Sequence, residues 1–138
     1  MNEADIFSMT ATDLHKAFKE ESLSPIEVAE ICLEKASKQT SPVYLKITEE
    51  RALREARAST KRWEAKTPLS ILDGVPLAWK DLIDMEGEKT TAASVLFMNS
   101  QPAEKDAPLV EKACSAGMVS VGRLNMTELA FSGVGYNP

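Results

Sequence analysis

Histidine occurs once in this chain and cysteine twice, a scarcity that removes most metal chemistry at the outset. Cys32 and Cys114 are far apart, stand in separate helix-like stretches and have no ligand spacing around them, so both are read as reduced core residues. His15 follows Leu14 on a short amphipathic stretch and is read as a surface or boundary residue, which leaves a Ser-His-Asp triad without its base. No metal and no cofactor is expected. Basic residues are also in deficit: 16 Lys and Arg against 21 Asp and Glu give a net charge of -5. The charges are interspersed, and without a basic stripe to neutralise phosphates no direct nucleic-acid partner is expected. Long apolar runs are missing too. None approaches the roughly 20 residues a membrane span needs, and Met1-Asn2-Glu3-Ala4-Asp5 is acidic where a secretory signal is basic. A cytoplasmic location away from membranes is expected, and the chain shows neither internal repeats nor low-complexity tracts.

What remains has the make-up of an ordinary folded domain. The 138 residues are 43% hydrophobic and 27% charged, enough for one core and far from the composition of disordered chains. Three helices are expected in the first half. Ser24, with Pro25 at the first helical position and Glu27 three residues on, forms a capping-box signature. Val28, Ile31, Cys32, Leu33 and Ala36 then give that helix one apolar side. Thr10 with Asp13 is a weaker version, leading to Leu14, Ala17 and Phe18. Thr48 opens the third helix, which runs towards Trp63 with Ala52, Leu53 and Ala56 inside; Glu50 with Arg54, or Arg51 with Glu55, are expected as exposed pairs.

After Thr67-Pro68 the helical spacing gives way to Val75-Pro76-Leu77-Ala78-Trp79, a buried strand launched by the turn Asp73-Gly74. An irregular stretch from about Asp84 to Ala107 follows, rich in turn-forming residues. Pro108 to Ala116 is amphipathic, Gly117 ends that helix, and Met118-Val119-Ser120-Val121 is a short strand. Asn125 with Glu128 reads as a further capped helix start, before the glycine-punctuated loop Ser132 to Pro138. Helices packed on a partly parallel sheet, an α/β fold, are the expected architecture.

Lys80 ends the apolar strand, and the carboxyl ends of strands in open α/β sheets line the crevice where ligands bind. Partial burial there disfavours the ammonium form and makes a lysine available as a base. The competing reading pairs Lys80 with Asp81 or Asp84 at a strand end.

Four blocks decide between them. Gly74-Val75-Pro76-Leu77-Ala78-Trp79-Lys80-Asp81, then Thr90-Thr91-Ala92-Ala93-Ser94, then Asp106-Ala107-Pro108-Leu109-Val110, and finally Gly122-Arg123-Leu124-Asn125-Met126-Thr127-Glu128-Leu129-Ala130 resemble, in order, successive blocks of the amidase-signature family. The helical region with Ser24-Pro25-Ile26-Glu27 is similar as well, so the resemblance covers nearly the whole chain. It implies amide-bond hydrolysis by a Ser-cisSer-Lys triad on an α/β/α fold with a mixed central sheet, and Lys80 matches the triad lysine. Asp81, Asn125 and Glu128 are carried as supports of the site.

The departures from the family pattern bear on activity. The glycine- and serine-rich segment that holds the bridging serine, the nucleophile and the oxyanion hole lies, in the family, beyond residues matching Gly135 to Pro138. The chain is therefore expected to be the amino-terminal portion of one amidase-signature domain, helical over 1–66 and with strand, loop and αβ unit over 67–138, inactive alone. Ala93 stands where the family usually has glycine. Ser94 and Ser132 lie in loops without the surrounding glycines of an oxyanion hole and are read as hydroxyls bonded to nearby backbone. Met126 is read as core. The substrate implied is a small amide. A second reading within the family is the glutaminase-like subunit of a tRNA-dependent amidotransferase. A third is a non-catalytic remnant that self-associates through exposed edges.

Overall fold

A computed structural model describes residues 6–132. The acidic start at Met1 to Asp5 and the end of the glycine-punctuated loop, Gly133 to Pro138, lie outside the described residues. The described residues include, in chain order, α1 (Ala11–Lys19), α2 (Pro25–Ser37), β1 (Tyr44–Ile47), α3 (Glu49–Glu64), β2 (Pro76–Lys80), α4 (Pro108–Ser115) and β3 (Val119–Leu124).

The first two helices start where the capping residues stand. Ser24 accepts from the Glu27 amide at 3.4 Å while Glu27 accepts from the Ser24 amide at 2.8 Å. Thr10 and Asp13 make the same reciprocal pair at 3.2 and 2.8 Å, a complete capping box where the sequence showed only a weak one. Thr48 precedes α3 but does not cap it; its hydroxyl donates to the Ser120 carbonyl at 2.9 Å, so the residue ties helix to sheet.

The sheet has the order β1-β3-β2. β2 runs parallel to the central β3 and β1 antiparallel, which makes the sheet mixed. β1 has no counterpart in the sequence reading, being four residues long with a lysine at its centre. β3 is longer than expected and carries Gly122 and Arg123 inside it. Gly122 is required by β1: a Cβ there would lie 2.7 Å from both the Lys46 carbonyl and the Tyr44 ring. Between Leu77↔Ser120 and Ala78↔Gly122 the register shifts, so one extra residue of β3 is accommodated and Arg123 comes opposite Trp79.

Two apolar clusters hold the layers together. Leu14, Phe18, Val28, Trp63 and Val75 join α1, α2 and α3 to the approach of β2. Ala29, Leu33, Ala52 and Ala56 pack α2 and α3 onto Val119 and Val121 of β3. A third cluster, Trp79, Met85 and Val110, sets α4 against β2, with Cys114 at its edge. Cys32 also sits half-buried in apolar surroundings, and burial pushes its thiol up to about 11. Among the described residues no helix is long and apolar enough to cross a membrane.

The charges of α3 form the expected solvated face only in part: Glu50 and Arg54 are exposed, whereas Arg51 and Glu55 are not. Arg51 pairs with Glu55 at 2.8 Å, but both are mostly covered, and the guanidinium also meets Asp106 through two bonds of 2.7 and 2.6 Å. Arg51 holds the Asp106 carboxyl below the usual range. Cys114, expected in the core, sits 3.1 Å from the same guanidinium.

Candidate active site

Lys80 is the last residue of β2 and stands opposite Leu124. The strand alternates, with Trp79 buried, Lys80 exposed and Asp81 buried, so the ammonium and the Asp81 carboxylate leave the backbone in opposite directions. The expected partial burial of Lys80 is not seen among the described residues. Neither is the competing ion pair with Asp81 or Asp84. Asp81 is instead 2% exposed and bound to Arg123, itself 2% exposed, through Nε at 3.0 Å and Nη2 at 2.7 Å.

This ion pair is fully bonded on both sides. Arg123 Nη1 donates to the Ile83 carbonyl at 2.8 Å, and Nη2 to the Thr90 hydroxyl at 3.2 Å. The second carboxylate oxygen of Asp81 accepts from the amides of Thr91 at 3.2 Å and Ala93 at 3.3 Å, and from the Thr91 hydroxyl. The Asp81 carbonyl accepts from the Ala92 amide at 2.7 Å. A buried pair stabilises only when its remaining donors and acceptors are met, and here the Thr90 to Ala93 segment meets them.

That segment is bent tightly. Ala92 and Ala93 take φ of 49° and 53°, and across from them Leu129 and Ala130 take 52° and 58°. Such left-handed geometry costs a non-glycine residue of order 1 kcal/mol or more and persists only where its surroundings hold it. The two bends are joined by the Leu129 amide donating to the Ala92 carbonyl at 2.9 Å, and by the Ser94 hydroxyl donating to Glu128 at 2.7 Å.

Those contacts correct the reading of Asn125 and Glu128 as a helix cap. Residues Glu128–Ala130 form only a short 3-10 turn. The Asn125 side chain accepts from the Met126 amide at 2.8 Å, and its own amide donates to the Val43 carbonyl at 2.7 Å. Thus Asp81 and Glu128 are brought to one loop cluster beside Lys80, whereas Asn125 anchors the end of β3 to the segment before β1. Ser94 is buried, with Glu128 as its acceptor and the Leu96 amide as its donor at 3.3 Å. The Ser132 carbonyl accepts from the Thr127 hydroxyl at 3.1 Å. Met126 is buried, as its core reading expects.

Arg123 is the residue of this cluster that sequence reasoning missed. Its signal was a charged side chain directly after Gly122 and within an apolar run, a placement that in a strand buried on both faces demands a partner. A recess of about 460 Å³ opens beside the pair, walled by Asp81, Arg123, Thr91, Lys89, Met98 and Leu45 among others.

Helices packed on a small mixed sheet, with a lysine at the carboxyl end of a strand and a tightly bonded loop behind it, define an α/β chain of the class that builds its site at strand ends. The chain belongs to the amidase family: the family model described as "Amidase" matches residues 27–138. The A subunit of mitochondrial glutamyl-tRNA(Gln) amidotransferase from Ornithorhynchus anatinus is 35% identical over 91% of this chain and 24% of its own length. A solved structure described as an unexpected vestigial protein complex revealing the evolutionary origins of an s-triazine catabolic enzyme superposes with a TM-score of 0.82. It shares 33% identity over 87% of this chain and 27% of that one. Native peptide amidase from Stenotrophomonas maltophilia gives a TM-score of 0.78 at 25% identity, over 88% and 25%. This chain therefore spans about a quarter of the length of the relatives it matches.

Proposed function

We propose that this chain supplies the general base of an amidase that hydrolyses a carboxamide to carboxylate and ammonia through a Ser-cisSer-Lys triad, of which Lys80 is the member it contains. The observation that carries this reading is the position of Lys80. It is exposed at the carboxyl end of β2, and the neighbouring carboxylate is committed to Arg123.

In this reading neutral Lys80 accepts a proton from a bridging serine, which takes one from the nucleophilic serine as that oxygen attacks the amide carbonyl. The same relay returns the proton to the leaving nitrogen, and ammonia departs, leaving the acyl group on the nucleophilic serine. Water, deprotonated by the relay, then attacks that ester, releasing the carboxylate and restoring the serine. A lysine fixed as ammonium cannot start this sequence. The desolvation that favours its neutral form is assigned to the serine-bearing segment, which would cover it. Alone, the chain is inactive. Ammonia release should be measured with the chain by itself and with the polypeptide that joins it to a glycine- and serine-rich segment. Turnover by the chain alone would defeat this reading.

The curated relatives, amidotransferase A subunits at 32 to 36% identity, favour a second reading in which the amide is glutamine and the ammonia passes to a partner subunit. Comparing glutamine with a series of simple carboxamides separates the two. The isolated chain is further proposed to self-associate through apolar surface that the remainder of such a domain would cover, and to reside in the cytoplasm.

A further inference from the structure

Charged pairs elsewhere in the chain, such as Lys46 with Glu88, lie at the surface or hold helices to loops. Among the described residues, only the pair of Asp81 and Arg123 is buried on both sides and directly abuts the residue on which chemistry is proposed to rest. We propose that Arg123 is the positioning residue of this site: it holds the Asp81 carboxylate on the buried face, leaving Lys80 without a counter-charge, and fastens the Thr90 to Ser94 loop behind it. This deepens the proposed role of Lys80 and rests on it.

The geometry gives Arg123 both tasks. Asp81 follows Lys80 immediately, and although the two side chains leave the strand in opposite directions, a carboxylate released from the guanidinium would be free to turn at the strand end towards the ammonium. Two guanidinium nitrogens hold one of its oxygens, and the loop occupies the other. The remaining guanidinium contacts, to the Ile83 carbonyl and the Thr90 hydroxyl, tie two points in the first half of the connection after β2 to β3. The bends at Ala92 and Ala93 are then held from one side by Asp81 and from the other by the Leu129 amide. A lysine in place of Arg123 could satisfy the charge but not this planar fork.

Two readouts on the chain itself test this without requiring turnover. Amide hydrogen exchange at Thr91, Ala92, Ala93 and Leu129 reports the loop, with Ala56 in α3 as reference. Competitive acetylation reports whether Lys80 has gained a counter-charge, with exposed Lys61 as reference. In Arg123→Met the loop amides should exchange at least about tenfold faster relative to Ala56. Lys80 should be acetylated about threefold or more slowly relative to Lys61, because the released carboxylate favours the ammonium. The double variant Asp81→Asn with Arg123→Met strands no charge. It should keep the fast loop exchange but return Lys80 acetylation to the wild-type rate. Arg123→Lys should keep wild-type acetylation and restore loop protection only in part.

Unchanged loop exchange in a folded Arg123→Met, or equally slow Lys80 acetylation in the single and double variants, would overturn the proposal. Should the single variant fail to fold, the double variant and Arg123→Lys still decide it, since wild-type loop protection in both would be contrary to it. Hydrolysis retained by Lys80→Ala in the serine-containing polypeptide would instead remove the catalytic reading, whatever the exchange and acetylation results.

Discussion

Asp73 is fully buried, and its carboxylate accepts from Ser59 at 2.6 Å, from Arg62 at 2.8 and 2.7 Å and from the Leu69 amide at 2.8 Å. Burial by itself would raise its pKa, but Arg62, Ser59 and the amide outweigh that and hold the carboxyl below its usual value. The sequence showed Asp73 only as the first half of a turn, because its partners come from α3 and from the loop before it. Asp73→Asn is predicted to lower stability by about 2 kcal/mol, read by urea unfolding, since the Arg62 guanidinium loses its charge partner. Gly117 was legible as a helix end, yet its φ of 86° is only half the constraint: a Cβ there would lie 2.4 Å from the Asp73 carboxylate. Gly117→Ala should therefore destabilise more than a left-handed alanine elsewhere, about 2 kcal/mol or beyond. Asp73 and Asp106 both have folded values below the 3.8 of an unperturbed carboxyl. The stability they contribute is present above that unfolded-state value and is lost as pH falls through the depressed folded values. The urea midpoint should accordingly fall between about pH 5 and pH 2, and the fall should be shallower in Asp73→Asn.

Elements whose signals are local were readable. The caps at Ser24 and Thr10, the strand entering Lys80 and the helix ended by Gly117 all depend on residues within a few positions of one another. Ser24→Ala should cost about 1 kcal/mol, detectable as a lower urea midpoint, because the Glu27 amide loses its acceptor. β1 was not readable: Tyr44–Ile47 becomes a strand through pairing with β3, and Gly122 makes room for that pairing. The turn at Glu128 was misread as a helix for the same reason. Its Asn and Glu have the spacing of a cap, but a buried serine and a carbonyl from the Ala92 bend take the groups a helix would have used. Around Lys80, what was legible of the candidate site is the strand end itself. Arg123 was not, because its meaning depends on a register shift between β2 and β3.

Across the whole molecule, a broad apolar surface stands open beside the site. Val95 and Leu96 are 75% and 79% exposed and Phe131 94%, with Phe97, Met98 and Leu129 also exposed. The bonds between the Ala92 and Leu129 bends place the two groups next to each other. Patches of this kind drive association, so sedimentation velocity of the isolated chain should show concentration-dependent oligomers, reduced by Leu96→Ser with Phe131→Ser. A monomer at all concentrations would count against this. The family itself was legible because four blocks occur in order, something no local periodicity could supply, and the match over residues 27–138 bears that out. The central claim concerns one of those blocks. It is tested most directly by ammonia release from a carboxamide by the polypeptide that joins this chain to a serine-bearing segment, with and without Lys80→Ala. A loss of kcat of about a thousandfold or more, with an unchanged urea midpoint, is the predicted result; turnover within a few-fold of the parent would contradict it.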